Sequence, residues 1–402
     1  MRLLIAASEW FPDRASGYAR VVSETARRLA ERGHEVTALV PSFEGAPSVA
    51  REGSLTVRRE LRRGRLPVTF TDVIGTRRGV RSLITSRFNL FVAHGPTIGF
   101  GLVTARVDRP LVLVYHASAL RENRFMRRHL PLGREHLSAM ALASPLALYE
   151  RAAVARADQI LVLSEYSRRL VVGDHPRTAT KVRGVSGGVD TAAFSPADQG
   201  AARERLGIPK NRRLLVTVRR LEPRMGIEQL LRALRRLSSN VHLAVVGDGM
   251  LAPILRRVAN ELGLADRVHF IGLVSEPELV DWYRAADLFV LPTIAYEGFG
   301  LVTAEALACG TPVVGTPVGA TPELLTPLDP RLVASGWDHE ALANAIADAL
   351  TFVGPELRAR SRRYACERFS WESVIAAWDD ALLETAETNA RSQPPGLAAS
   401  SA

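Results

Sequence analysis

Residues 214–246 read LLVTVRRLEPRMGIEQLLRALRRLSSNVHLAVV. The stretch opens on an apolar run, 214–218, and returns to another at 243–246. Neither run alternates with polar residues, which is the pattern of strands buried on both faces. Between them Ile227, Leu230, Leu231, Leu234 and Leu237 recur at helical spacing along one stripe. Strand, helix and strand in this order form a βαβ unit, and the two strands lie parallel.

The same alternation runs outward in both directions. Towards the N-terminus, apolar runs occupy 3–7, 36–40, 90–93, 111–115 and 160–163; towards the C-terminus, 268–271, 288–291 and 313–314. A second stripe, Trp371, Val374, Ile375, Trp378 and Leu382, predicts a long helix over 371–388. A chain of 402 residues exceeds what one core normally organises. The expectation is two doubly wound parallel-sheet domains, residues 1–187 and 188–370. The Gly- and Pro-bearing segment 187–198 reads as the linker, and residues 389–402, rich in Ser, Pro and Ala, as a disordered tail.

Composition excludes several classes. Hydrophobic residues at 47% and charged residues at 23% are ordinary for a globular chain. Two cysteines cannot staple a disulfide scaffold. No secretion signal opens the chain and no uninterrupted apolar run is long enough to span a bilayer; residues 137–148 lean apolar but contain Pro145, read as a break. The expected location is cytoplasmic. Net charge is +10, and all but two of the 52 basic residues are Arg. Such a surplus admits nucleic acid, an anionic membrane face or anionic small molecules. Aromatic residues are only 6%, and no nucleic-acid-binding module is evident, so nucleic acid is set aside.

Ligands of open parallel sheets bind beyond the carboxyl ends of the strands. After the first run comes Gly17 at a strand-to-helix turn, which suits either a tight turn or a phosphate approach. After 111–115 comes His116, and after 90–93 comes His94, the weaker candidate; a lone His is more often structural than functional. After 214–218 come Arg219, Arg220 and Arg224, whose forked guanidinium groups suit a diphosphate. After 288–291 come Glu297, Gly298, Phe299, Gly300 and Leu301, with Glu305 one to two turns into the following helix. Consecutive N–H groups at a helix start make a phosphate site, and two carboxylates can each accept hydroxyl hydrogen bonds from a sugar or ribose. Taken singly, Glu305 reads better as a cap or an ion-pair partner; the whole constellation reverses that preference.

These residues carry a resemblance. Residues 296–310, YEGFGLVTAEALACG, continuing to TPVV, resemble the E-x7-E signature of retaining family 4 glycosyltransferases of the GT-B architecture. RRLEPRMG at 219–226, GDG at 247–249, ADLFVLPT at 286–293, ADQILVLSEYSRR at 157–169 and GVDTAAFSP at 188–196 are similar to further family elements. The resemblance implies two Rossmann-like domains facing across a cleft, with an acceptor domain, a nucleotide-sugar donor domain and a C-terminal helix packing back on the first. It also implies that Glu297 binds donor-sugar hydroxyls, Glu305 holds a ribose, and Phe299, Gly300 and Leu301 offer backbone N–H groups. By the same resemblance Arg220 contacts the diphosphate with Arg224 nearby, Gly17 closes the phosphate site, and His116 lies near the reacting centre.

Three departures stand out: Met225 where the family usually has Lys, Ser16-Gly17 for a Gly-Gly loop, and Gly187 for a linker Asn. The implied reaction moves a glucosyl, N-acetylglucosaminyl or mannosyl group from a UDP- or GDP-linked sugar to an acceptor hydroxyl, with retention. Loss of the Lys keeps open a catalytically impaired sugar-nucleotide binder, and an epimerase on the same architecture is the other alternative. No D-x-D sequence occurs, so metal independence is expected, with no cofactor beyond the donor. Residues 1–190 hold 30 basic and 17 acidic side chains, concentrated in 51–87 and 121–134. The surplus therefore lies in the expected acceptor half and points to an anionic acceptor or an anionic membrane face. The acceptor classes open are a glycolipid or cell-envelope precursor and a small natural product, and a monomer or weak dimer is expected.

Overall fold

The computed structural model describes residues 1–61, 68–83, 88–129 and 134–392. The chain divides into two compact units. The first takes Met1–Arg124, Arg134–Ser186 and the chain from Val374 onward; the second takes a short segment starting at Phe125 and Gly187–Ser373.

Among the described residues the first unit holds eight strands: β1 (Arg2–Ala6), β2 (Glu35–Pro41), β3 (Val49–Glu52), β4 (Leu55–Leu61), β5 (Leu90–His94), β6 (Leu111–Val114), β7 (Gln159–Val162) and β8 (Val182–Gly184). Their order is β3-β4-β2-β1-β5-β6-β7-β8. Every pairing is parallel except β3 with β4, which is antiparallel. The central strands are apolar throughout because helices cover both faces; Leu3, Leu4, Ile5, Leu111, Val112 and Leu113 are fully buried.

The second unit holds β9 (Arg213–Val218), β10 (Val241–Val246), β11 (Val268–Gly272), β12 (Leu288–Leu291) and β13 (Val313–Gly315), ordered β11-β10-β9-β12-β13 and all parallel. The helix between β9 and β10 spans Ile227–Arg236 and buries Ile227, Leu230, Leu231 and Leu234. Burying each such side chain stabilises by about 2 kcal/mol. Glu228 and Arg232 pair at 2.8 Å on its exposed face. The architecture is the α/β one expected, two doubly wound Rossmann-like units.

Several features depart from the sequence reading. The β3–β4 hairpin and the short β8 are additional strands; β3 and β4 carry charged residues at a sheet edge, where one-sided exposure breaks up an apolar run. Pro145 does not break its segment: the helix Arg134–Arg156 runs through it. Leu137, Met140 and Leu148 on that helix are exposed. The last helix, Trp371–Ser392, extends beyond 388, and residues 393–402 of the expected tail lie outside the described residues. The same is true of parts of the Arg-rich stretches. Among the described residues no helix is long and apolar enough to cross a membrane.

The terminal helix carries its predicted stripe inward, with Trp371, Val374, Ile375, Trp378 and Leu382 all buried. Within the first unit, Asp379 on this helix accepts from Arg32 Nε at 2.7 Å and lies 2.7 Å from His34 Nε2. Trp378 Nε1 donates to Ser186 O at 2.8 Å.

Candidate functional site

In the second unit the chain starts in β9, builds outward through β10 and β11, then returns to place β12 on the other side of β9. The strand order therefore reverses between β9 and β12, and the loops leaving these two strands flank a crevice. Those loops are residues 219–226 and 292–300; they carry Arg219, Arg220, Arg224, Glu297, Phe299 and Gly300, with Leu301 opening the helix that follows.

The two loops are stitched to each other. Ile294 N donates to Arg224 O at 2.9 Å, and Arg224 Nη1 donates to Tyr296 O at 3.2 Å. Gly226, at φ 71°, lies so close to the second loop that a Cβ would stand 1.8 Å from Pro292 O. Only glycine combines that conformation with that approach. Tyr296 is left-handed at φ 55°, a conformation that costs a side-chain-bearing residue about 1–2 kcal/mol. Its surroundings hold it there and aim the next residue, Glu297, inward.

Glu297 is buried, and among the described residues its side-chain hydrogen bonds fall on Oε2. Arg219 Nη2 donates to that oxygen at 2.5 Å, and Thr293 Oγ1 donates to it at 2.9 Å. Arg219 also donates to Thr293 Oγ1, closing a triangle. Burial alone would raise the Glu297 carboxyl, but the Arg219 guanidinium, with help from Arg224 and Thr293, holds it below the usual carboxylate range. The backbone is pinned as well: Ala320 N donates to Glu297 O at 2.9 Å, and Gly319, at φ 67°, allows the approach.

After Glu297 the chain turns at Gly300, left-handed at φ 84°, into the helix Leu301–Ala308. No side chain caps this helix, and the Oγ1 of the fully buried Thr303 in its first turn has no hydrogen-bond partner. Helix-start N–H groups without a cap suit an anion. Glu305 is buried in the same helix and accepts from Tyr283 OH at 2.7 Å.

Arg220 points differently from its neighbour: its side chain is 60% exposed and lies 3.4 Å from Glu222. Met225 is buried and apolar. Gly187 packs against the Phe299 ring, where a Cβ would stand 2.7 Å from the ring carbons, which leaves no room for the linker Asn.

Gly17 and His116 belong to the first unit, whose strand order reverses between β1 and β5. Gly17 is exposed and opens the helix Gly17–Glu31, whose N-cap Ser16 accepts from Ala19 N and donates to Glu9. Tyr18, the next residue, donates to His94 O at 2.7 Å, and its ring lies 4.7 Å from that of His116. His94 Nδ1 is 3.0 Å from His116 Nε2. Burial pushes His116 down to about 4 and His94 well below the usual imidazole range, so both rings are neutral at neutral pH. Tyr115 and Ser118, on either side of His116, donate to the buried Glu150 at 2.7 and 3.1 Å, which pins the loop. A cavity of about 200 Å³ opens at the ends of β1 and β2, lined by Glu9, Trp10, Asp13, Arg14, Phe43 and Glu44 among others.

Sequence brackets Arg219 with Arg220 and leaves His94 the weaker of the two histidines; it does not single out Thr293, Tyr283, Tyr18 or Glu150. An Arg pair at a strand end was the legible signal for Arg219, but which of two adjacent side chains turns inward is set by the pleat of the last strand residues.

The family model described as Glycosyltransferase Family 4 matches residues 15–193, and the one described as Glycosyl transferases group 1 matches residues 198–368. A D-inositol 3-phosphate glycosyltransferase of Mycolicibacterium smegmatis is 35% identical over 242 residues, covering 59% of this chain and 54% of its own length. The chain thus spans about half the length of the curated relatives it matches. Among solved structures, sucrose-phosphate synthase from Thermosynechococcus elongatus superposes with a TM-score of 0.81 at 23% identity, over 98% of this chain and 100% of that one. Anabaena HepE, solved in complex with UDP-glucose, gives a TM-score of 0.69 at 20% identity, over 97% of this chain and 100% of that one. These two likenesses place the fold in the GT-B class.

Proposed function

The chain belongs to the family 4, or group 1, glycosyltransferases, and from that premise we propose that it transfers a hexosyl group from a nucleotide diphosphate sugar to an acceptor hydroxyl with retention of configuration. The observation that carries the reading is the placement of Glu297 and Glu305 on the two sides of an uncapped helix start, beside the reversal of strand order in the second unit. In this reading Glu297 takes donor-sugar hydroxyls, Glu305 takes the ribose, and the N–H groups of Phe299, Gly300 and Leu301 take phosphate or sugar oxygens. Negative charge builds on the departing diphosphate, and Arg220, Arg224 and the helix start stabilise it. Within the first unit, His116 is a neutral hydrogen-bonding group rather than a cation. The reaction runs without a divalent metal and is undiminished by EDTA.

For the acceptor we propose an anionic, phosphate-bearing polyol. Two features support this: the basic surplus of residues 1–190, and the similarity to D-inositol 3-phosphate glycosyltransferases. The cavity at the ends of β1 and β2 carries Glu9 and Glu44, so the Arg-rich stretches are the better location for such an anion.

The test is transfer with a panel of UDP- and GDP-sugars onto phosphorylated and unphosphorylated polyols. Retained transfer in Glu297→Gln would refute the assignment of the site. Equal use of both acceptor types would refute the anionic acceptor. Steady release of a changed free sugar without acceptor would favour epimerisation.

A further inference from the structure

We propose that Arg219 is the residue that positions the Glu297 carboxylate, gripping Oε2 and leaving Oε1 for a hydroxyl of the donor sugar. The inference rests on the reading of Glu297 as a sugar-binding group and adds a residue to it.

The geometry is that of a clamp. Arg219 is the first residue after β9, and its N–H donates to Val246 O at 2.9 Å, at the end of the neighbouring strand β10. Its backbone carbonyl lies against Gly247, where a Cβ would stand 2.0 Å away, so the residue cannot swing. Its side chain is 7% exposed. Thr293, the second member of the triangle, is held in turn through its carbonyl, which accepts from Thr316 Oγ1 at 2.5 Å. Arg219 Nε is buried without a hydrogen-bond partner. A structural ion pair would be expected to use that donor too; here the guanidinium spends one nitrogen on the triangle and carries an unmatched N–H into the same region.

The other charge acting on Glu297 is Arg224, from the turn Pro223–Met225, whose Nη1 is bonded to the carbonyl of Tyr296. The segment on the remaining side contributes the backbone N–H of Ala320. Among the described residues Arg219 is hydrogen-bonded directly to the carboxylate, on Oε2. Both bonds leave Nη2; lysine could supply charge and donors, but not the rigid planar guanidinium that carries that nitrogen to Thr293 and Glu297 together.

The experiment is calorimetric titration of the full chain with UDP-glucose, GDP-mannose and the free nucleotides UDP and GDP, for wild type, Arg219→Gln, Arg219→Lys and Glu297→Gln. Thermal melts accompany each variant. The expected result for Arg219→Gln is a loss of about 10-fold or more in affinity for the sugar nucleotide, with free nucleotide affinity within about twofold of wild type. Arg219→Lys recovers part of the loss. As pH is lowered, the sugar-nucleotide affinity of Arg219→Gln is also lost at a higher pH than that of wild type, because burial of Glu297 is then opposed only by Arg224 and Thr293. Equal losses for sugar nucleotide and free nucleotide, or an unmoved pH profile, would overturn the inference. If Glu297→Gln loses the sugar contribution and Arg219→Gln does not, the inference fails while the site reading stands. If Glu297→Gln binds like wild type, or wild type binds neither sugar nucleotide, the underlying reading fails and the inference with it.

Discussion

His94 and His116 lie side by side in the first unit, Nδ1 to Nε2 at 3.0 Å, with ring centroids 5.2 Å apart and planes inclined by 29°. One nitrogen of the pair must donate and the other accept, so a single proton is shared across the contact. The buried Nε2 of His94 has no partner, which favours its bare, acceptor form. His94 Nδ1 then carries the hydrogen, and His116 is left with its proton on Nδ1. A nitrogen-15 NMR titration should find both rings neutral from pH 8 down to about 5. His116 should titrate near 4. Its folded value lies below the unfolded one, so the stability it contributes is complete above about pH 6.5 and is lost as pH falls through about 4.

Replacing Met225 by Lys should not improve the enzyme. The side chain is buried, and its N–H is tied to Glu222 O at 3.1 Å, so the new ammonium would be desolvated beside Arg224. The expected outcome is a melting temperature several degrees lower and transfer no faster than wild type. A rate gain of about 10-fold would show instead that the site lacks a cation there.

Tyr283→Phe removes a buried hydroxyl that donates to Glu305 at 2.7 Å. The carboxylate loses a fixed partner, and the expected cost is about 1–3 kcal/mol of stability in chemical denaturation. Affinity for free UDP should fall as well if Glu305 holds the ribose; unchanged UDP affinity would remove Glu305 from that role.

Asp379→Asn should weaken the first unit, although the residue stands near the end of the chain. Its carboxylate bonds Arg32 and His34, and against the effect of burial these partners hold it below the usual carboxylate range. Losing a buried charged partner costs about 3 kcal/mol. Because the folded value is depressed, this contribution is full above the unfolded carboxylate value, about pH 4, and disappears as pH falls through the folded value. Denaturation of wild type and variant should therefore converge at low pH.

The central strands were legible because burial on both faces leaves an unbroken apolar signature, as in Leu3, Leu4 and Ile5 or in Leu214, Leu215 and Val216. The stripe from Trp371 to Leu382 was legible for the same reason, as periodic burial. The β3–β4 hairpin escaped because its partner strand and solvent share its faces, so Arg58, Arg59 and Glu60 interrupt the pattern. At the site, Glu297 and Glu305 stood out by their spacing around a glycine turn. Arg219 did not stand out from Arg220, since sequence gives their order and not their directions. His94 and Glu150 act through contacts 22 and 32 to 35 residues away, which no local pattern encodes.

The terminal helix has a consequence for how the chain comes into being. The first unit closes with contacts spanning 347 residues from Arg32 and 345 from His34. A ribosome delivers residues at about 5–20 per second, N-terminus first. The eight-stranded sheet therefore waits, with Arg32 and His34 lacking their partner Asp379, while the whole of Gly187–Ser373 is synthesised. The unit that begins first is the one that finishes last.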